Sequence, residues 1–541
     1  MTPGAAAKAP ARPYPGIRPF RIDEQHLFFG RESQVDTMVD TLARHRFLAV
    51  LGGSGCGKSS LVNCGLRPAL HRGLLSAAGS AWRMASLRPG GAPLQALAEA
   101  LAAPGVLGQG QVPGPFSAAE MMLATLQMSR RGLVEAFRAA WLPPGTQLLV
   151  VVDQFEELFR YRAPDERGGE GGEAGDDATA FVNLLLQART EAVPIHVVLT
   201  MRSDFLGDCA RFAGLPEAIN GAQYLVPRMS RDERRQAIAG PARVCGAAIE
   251  PTLLTRLVND VGDDPDQLSL LQHALARTWD HWQRSGEPSP LRAHHYEAVG
   301  TMAAALNQHA EEIWQAMPAR LHPAGERVLR ALTDKSTDSR GIRRPLRVAT
   351  LCRVCAVDGA GLAEVLAPFR TADASFLMPP EALPLADDAV VDLAHESLMR
   401  LWQRLRDWGE AEAEAARMLH RVADAAALHA AGQASLWRDP ELQFALAWRE
   451  RQAPTEAWAG LYGRALAPAL AFLDASRAAR DAAAADEARR RRDEIERRRA
   501  LARQRRVLAA AVLTSVLVAV VAGAIGWLWV VLMMAVTEPS L

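Results

Sequence analysis

Before residue 205 the hydrophobic positions concentrate in three short, nearly unbroken runs: FLAVLGG from Phe47, LLVVVD from Leu148 and PIHVVLTMR from Pro194. Runs apolar at every position, rather than at alternate ones, predict strands buried on both faces, as in a parallel sheet whose crossovers are helices. Trp82 to Leu87 and Gln223 to Val226 read as two further strands. Helical spacing of apolar residues appears from Ala92 to Ala102, Ala118 to Ala139 and Ala178 to Ala192, with another amphipathic helix from Asp232. This alternation predicts an α/β domain over residues 14–240. Residues 1–13, rich in Ala and Pro, are expected to be disordered, and APDERGGEGGEAGDD reads as a flexible acidic loop.

Beyond residue 240 the period changes. Helical spacing without strand-like runs predicts a helical lid over residues 241–320, where Leu268, Leu271 and Leu275 mark one face. Short helices mixed with strand-like SFLMPP and AVVDLAHESL predict a winged-helix domain over 321–408. A tryptophan-bearing helical region (409–474) follows, then a charged, alanine-rich helix (475–506).

From Val507 to Val536 no charge interrupts the sequence, which exceeds the ~20 residues a helix needs to cross a hydrocarbon core. A transmembrane helix over 507–536 is predicted, with a short tail at 537–541. Arg503, Arg505 and Arg506 precede it and only Glu538 follows, so residues 1–506 are expected on the cytoplasmic side, with Trp527 and Trp529 near the outer interface. The block ARRRRDEIERRRALARQRR suits the anionic cytoplasmic leaflet, at roughly 1 kcal/mol per basic residue near the surface.

Composition adds little to this picture. In 541 residues Lys+Arg and Asp+Glu both total 61, so net charge does not point to nucleic acid. Six cysteines are sparse for this length and predict reduced thiols; the Cys352-Cys355 pair has no second pair at zinc spacing. No apolar signal segment opens the chain.

The candidate chemistry starts at Gly52. GGSGCGKS matches G-x-x-x-x-G-K-[ST], a P-loop, between a predicted strand and a predicted helix. Successive backbone N–H groups of Gly52, Gly53, Ser54, Gly55, Cys56, Gly57, Lys58, Ser59 and Ser60 are expected to wrap a phosphate chain. Lys58 supplies a cation for the β- and γ-phosphates, Ser59 a hydroxyl for Mg²⁺, and the following helix its positive end. The second run delivers Asp153 to a strand end, a Walker B pattern in which Asp153 holds Mg²⁺ while Glu156 or Glu157 orients or activates a water. Polar Thr200, Arg202 and Asp204 close the third run, where Arg202 suits a γ-phosphate sensor. FFGRE, at Phe28 to Glu32, is of the kind that packs over adenine.

Together these blocks resemble the STAND class of P-loop regulatory ATPases, specifically its bacterial novel-STAND domain. The resemblance rests on YPGIRPF, FFGRE, GGSGCGKSSLVNCGLRPAL, VVDQFEELF, MRSDFLG, LPEAINGAQYLVPRMSRDE, DDPDQLSLLQHALARTW, HHYEAVG, GIRRP and LAHESLMRLW, in order over about residues 14–475. It implies an AAA+-like nucleotide domain, a helical domain and a winged helix that close over ADP at rest, with ATP exchange opening the chain for homo-oligomerisation. It also implies that Pro265 and His395 join the nucleotide-binding set, His395 as the winged-helix histidine on the β-phosphate of ADP. Ser269 departs from the proline usual in relatives. Relatives often continue past the membrane span into WD-repeat propellers, whereas this sequence ends about five residues after Val536, and no effector enzyme precedes the P-loop. Sensor and effector are therefore expected from partner proteins, or the product is a shortened member.

The expected function is a membrane-anchored ATP/ADP switch with slow hydrolysis, serving signalling or defence. A nucleotide-binding scaffold that does not hydrolyse is the alternative, and Glu156 and Glu157 argue against it. DNA binding through the winged helix ranks lowest, because winged helices of this class pack on the nucleotide domain.

Overall fold

Burial on both faces is what the apolar runs achieve. In the computed structural model, which describes residues 12–75, 79–108, 115–160, 173–262, 267–335 and 342–536, five strands form one sheet: β1 Phe47–Gly52, β2 Trp82–Leu87, β3 Gln147–Val152, β4 Ile195–Arg202 and β5 Gln223–Leu225. Their order is β2-β3-β4-β1-β5 and every pairing is parallel. Alternate side chains leave on opposite faces. Phe47, Ala49 and Leu51 join one apolar cluster with Val150, Val197 and Leu199, while Leu48 and Val50 join another with Val151 and Val198. With β4 between β1 and β3, and Gly52 in register with Arg202 and Val152 with Leu199, the P-loop, Asp153 and the end of β4 emerge side by side.

Helices flank this sheet, with differences from the sequence reading. The P-loop helix spans residues 58–71 and contains a π-helical turn, Leu61–Leu66. The single helix expected from Ala118 to Ala139 is two, Ala118–Met128 and Gly132–Ala139. Ser129 is extended (φ −166°, ψ 168°) and stops the first, since MSRRG offers a poor helix former and a glycine around the break. The helix expected from Ala178 starts at Glu173, so EAGDD, read as loop, lies within it; acidic residues suit a first turn. The rest of that loop, 163–172, and most of the expected disordered N-terminus lie outside the described residues.

After β5 come helices Arg231–Val244, Pro251–Asp260, Gln267–Ser285, Ala293–Ala298 and Thr301–Ala316. The first runs through residue 240, where the sequence reading placed a domain boundary. Residues 322–401 hold helices His322–Ala331, Val348–Cys355 and Gly359–Arg370 with short antiparallel strands. These are β6 Thr333–Asp334 paired with β7 Ile342–Arg343, and β8 Leu346–Arg347, β9 Leu377–Met378 and β10 Val390–Leu393 in the order β8-β10-β9. All six cysteines are free thiols, with Cys355 buried and Cys352 half-buried.

The chain divides into two compact units, Met1–Glu414 and Ala415–Leu541. In the second, helices Glu441–Gln452 and Glu456–Gly460 precede one uninterrupted helix, Leu466–Val536. The expected juxtamembrane and transmembrane segments are thus a single rod, as alanine, arginine and leucine, all good helix formers, permit. This helix is long and apolar enough to cross a membrane, and its apolar window is fully exposed.

Candidate nucleotide site

The P-loop wall is built by backbone. β1 closes on Gly52, and Gly57 adopts φ +92°, a left-handed conformation open to glycine, before the helix starts at Lys58. Lys58 Nζ donates to the carbonyls of Gly52 (3.0 Å) and Gly53 (2.8 Å), so its charge is held over the loop. Ser60 Oγ accepts the N–H of Phe20 at 3.2 Å, tying the loop to the N-terminal segment. Arg31, 5% exposed, donates to Pro227 O (2.8 Å) and Cys56 O (3.4 Å) and fixes the same loop from the other side. Phe28 and Phe29 line the adjoining cavity. Phe29 lies flat against the helix Arg231–Val244 at Gly240, where a Cβ would meet its ring at 2.6 Å.

One carboxylate oxygen gathers the metal corner. Asp153 Oδ1 accepts from Ser59 Oγ at 2.7 Å and from Thr200 Oγ1 at 2.5 Å, while Arg88 Nε stands 3.7 Å from Oδ2. Hard oxygen donors converging on one point suit Mg²⁺ rather than a softer ion. Ser59, Asp153 and Thr200 are the residues that fit it.

The two glutamates face apart. Glu156 is 6% exposed and accepts the backbone N–H of Arg202 at 3.2 Å. Glu157 Oε2 accepts the N–H of Gly90 at 3.0 Å, and burial pushes its carboxyl up to about 7 against the opposing charge of Arg88. The Arg202 guanidinium pairs with Asp204 and, through Nη1 at 2.5 Å, with Glu396.

Glu396 belongs to the opposite wall. One cavity of about 1360 Å³, including space open to solvent, is lined by the P-loop and by His395, Arg343, Ser269 and Gln272. His395 Nδ1 accepts the N–H of Ser397 at 3.1 Å. Burial, then the charge of Arg343, lowers the ring to about 4. A neutral ring whose Nδ1 accepts carries its proton on Nε2, and that buried nitrogen has no partner among the described residues. It is a buried donor without an acceptor. Arg343 hydrogen-bonds Asp392 (2.6 Å) and Leu393 O (2.8 Å), and its Nε is likewise buried without a partner.

Of the sequence-predicted residues, Ser54 to Ser60, Glu156, Arg202 and His395 line one cleft, Asp153 joins it through its hydrogen bond to Ser59, and Gly52 and Gly53 stand behind it under Lys58. Glu157 points toward Gly90, and Pro265 lies outside the described residues. Sequence reasoning missed Arg31, Arg88, Arg343 and Glu396. FFGRE, GIRRP and LAHESL contained three of them, but no spacing rule links residues this far apart.

Glu287, His294 and His295 form a separate group whose ligand atoms lie within 4.8 Å of one another, and this candidate cation site is empty. His295 Nδ1 accepts the N–H of Arg292 at 3.0 Å, so the neutral ring keeps its proton on Nε2, 3.2 Å from Glu287. In that tautomer the His295 ring presents a donor to the carboxylate, a histidine–carboxylate contact.

Comparison with known proteins adds three structural likenesses. The ORC2 protein of Aeropyrum pernix, in ADPNP–ADP complexes, aligns at 11% identity over 71% of this chain and 95% of that one, with a TM-score of 0.40. Drosophila ORC bound to DNA aligns at 12% over 75% and 95%, TM-score 0.34, and the RuvB branch-migration motor of Thermotoga maritima at 12% over 71% and 97%, TM-score 0.30. No curated protein matches the chain. The family model described as Novel STAND NTPase 1 matches residues 13–435. With a P-loop on β1, a carboxylate after β3 and β4 between them, this chain belongs to the novel STAND NTPase family.

Proposed function

We propose that this protein is a membrane-anchored nucleotide switch that rests closed on ADP and opens on ATP. The observation that carries the reading is the Arg202–Glu396 ion pair, which joins the end of β4 to the wall bearing His395 across the cavity. Both side chains are mostly withdrawn from water, so the pair is stronger than an exposed one.

Each group then has a role. Lys58 and the loop N–H groups hold the phosphates, while Ser59 and Asp153 hold Mg²⁺. His395 Nε2 donates to the diphosphate, rewarding closure. A γ-phosphate competes with Glu396 for Arg202 and so favours the open form, because a ligand shifts a two-state equilibrium only through contacts that differ between the states. Opening is read out by homo-oligomerisation and recruitment of separate sensor or effector proteins. The helix Leu466–Val536 supplies the anchor, with its basic 489–506 stretch on anionic lipid. Hydrolysis to ADP resets the switch slowly.

The test is the nucleotide that copurifies with the detergent-extracted full chain. Wild type is expected to carry ADP and His395→Ala to lose it. Wild type purified empty, with no ADP affinity by calorimetry, overturns the proposal.

A further inference from the structure

Gln154, directly after the Walker B carboxylate, takes φ +57°, a left-handed conformation unusual for a residue with a side chain. The turn around it is pinned on every side. Asp153 N–H still donates to Leu87 O on β2 (2.8 Å), whereas Gln154 N–H donates to Thr200 Oγ1 (3.0 Å) and Phe155 N–H to Thr200 O (2.9 Å) on β4. The Glu157 N–H closes the turn on Gln154 O at 2.9 Å. Phe155 is thereby driven into the core, fully buried, and Gln154 is left lining the cavity. Strain held by surrounding bonds at a ligand cavity is a signature of function.

The side chain agrees with the backbone. Gln154 Oε1 is buried and has no hydrogen-bond partner among the described residues, a costly state for an amide oxygen unless something else donates to it. Each neighbouring carboxylate has one oxygen engaged, Glu156 by the Arg202 N–H and Glu157 by the Gly90 N–H. Thr200 links this turn to the metal corner, because the hydroxyl that accepts from Gln154 N–H also donates to Asp153.

We infer that Gln154 is the positioning residue for the attacking water, its Oε1 accepting a hydrogen bond from that water beside the γ-phosphate. The inference rests on the hydrolytic reading proposed above and moves the water-holding role from Glu156 and Glu157 to their neighbour. An amide orients but does not take a proton. As the water oxygen bonds to the γ-phosphorus, the bond to the bridging oxygen breaks with its electron pair passing to ADP. The water's proton goes to a γ-phosphoryl oxygen. Hydrolysis without a strong general base is slow, in keeping with a switch.

The experiment uses the full chain in detergent and reads two quantities, single-turnover phosphate release from Mg·ATP and retention of ADP with aluminium fluoride, which mimics the transferring phosphoryl group. Gln154→Gly is the decisive variant, since glycine takes φ +57° at ease. It is expected to lose at least tenfold in phosphate release and to stop trapping ADP with aluminium fluoride, while ADP affinity stays within threefold. Gln154→Glu, which returns an oxygen to the same place, is expected to restore both. Gln154→Gly that releases phosphate and traps ADP like wild type overturns the role of Gln154 alone. A wild type that binds ATP tightly yet never releases phosphate overturns the hydrolytic reading, and the inference with it.

Discussion

The two walls of the cleft are made in different ways. The P-loop wall consists of consecutive residues at the end of β1, with Asp153 and Thr200 on neighbouring strands of the same sheet, so backbone pairing fixes its geometry. The facing wall takes Arg343, His395 and Glu396 from around β7 and β10 and Ser269 and Gln272 from a helix, and reaches β4 through the Arg202–Glu396 ion pair. Backbone ladders hold the first, whereas side-chain charge holds the second to it. On the proposed function the first wall is the grip and the second the cover that ATP releases, since a ligand-controlled equilibrium needs contacts that differ between its two states.

Three measurements can break or sharpen that contrast. Lys58→Ala strikes the rigid wall and is expected to weaken ATP and ADP alike by at least a hundredfold in calorimetry, with the melting temperature of the nucleotide-free chain unchanged. An ADP-selective loss would show that the walls are not distinct. Glu396→Gln strikes the facing wall. It is expected to speed ADP release about tenfold, equivalent to about 1.4 kcal/mol, while ATP affinity stays within threefold. Equal loss of both nucleotides would make Glu396 part of the grip.

The smallest effect is in pH. Burial holds four imidazoles neutral, lowering His196 and His395 to about 4, His273 to about 3 and His309 to about 2. Their ordinary value is about 6.5, so below it the unfolded chain binds protons that the folded chain refuses. Stability from these groups is complete above about 6.5 and is lost as pH falls toward 4 and below. Glu157, raised to about 7, acts with opposite sign, since its proton stabilises the fold at low pH and is lost toward 7. Four groups outweigh one, so the melting temperature is expected to fall by several degrees from pH 7 to pH 5. His273 and His309 stack with ring centroids 5.2 Å apart, and His273→Asn/His309→Asn is expected to remove about two-thirds of that slope, since Glu157 still opposes the two histidines that remain. An unchanged slope would sink this account.

What could be read in advance follows the range of the interactions. The P-loop lies within nine consecutive residues whose types alone state their task, and Asp153 is announced by the five apolar residues before it. The His395 motif was legible by resemblance, but its orphaned Nε2 was not, since that depends on Ser397 N–H taking Nδ1. Glu156 and Glu157 read alike as carboxylates near a strand end. Only the turn at Gln154 turns one toward Arg202 and the other toward Gly90.

By itself the sequence determined a parallel α/β P-loop core, its phosphate-binding loop and an apolar helix near its end, because these are written in local period and composition. Tertiary structure decided which strand ends lie side by side, that Arg202 meets Glu396 194 residues away, and that the Gln154 amide oxygen is buried without a partner among the described residues, in a residue that lines the cavity. Strand order and pairings over such separations depend on how whole elements pack, and no short window of residues encodes that.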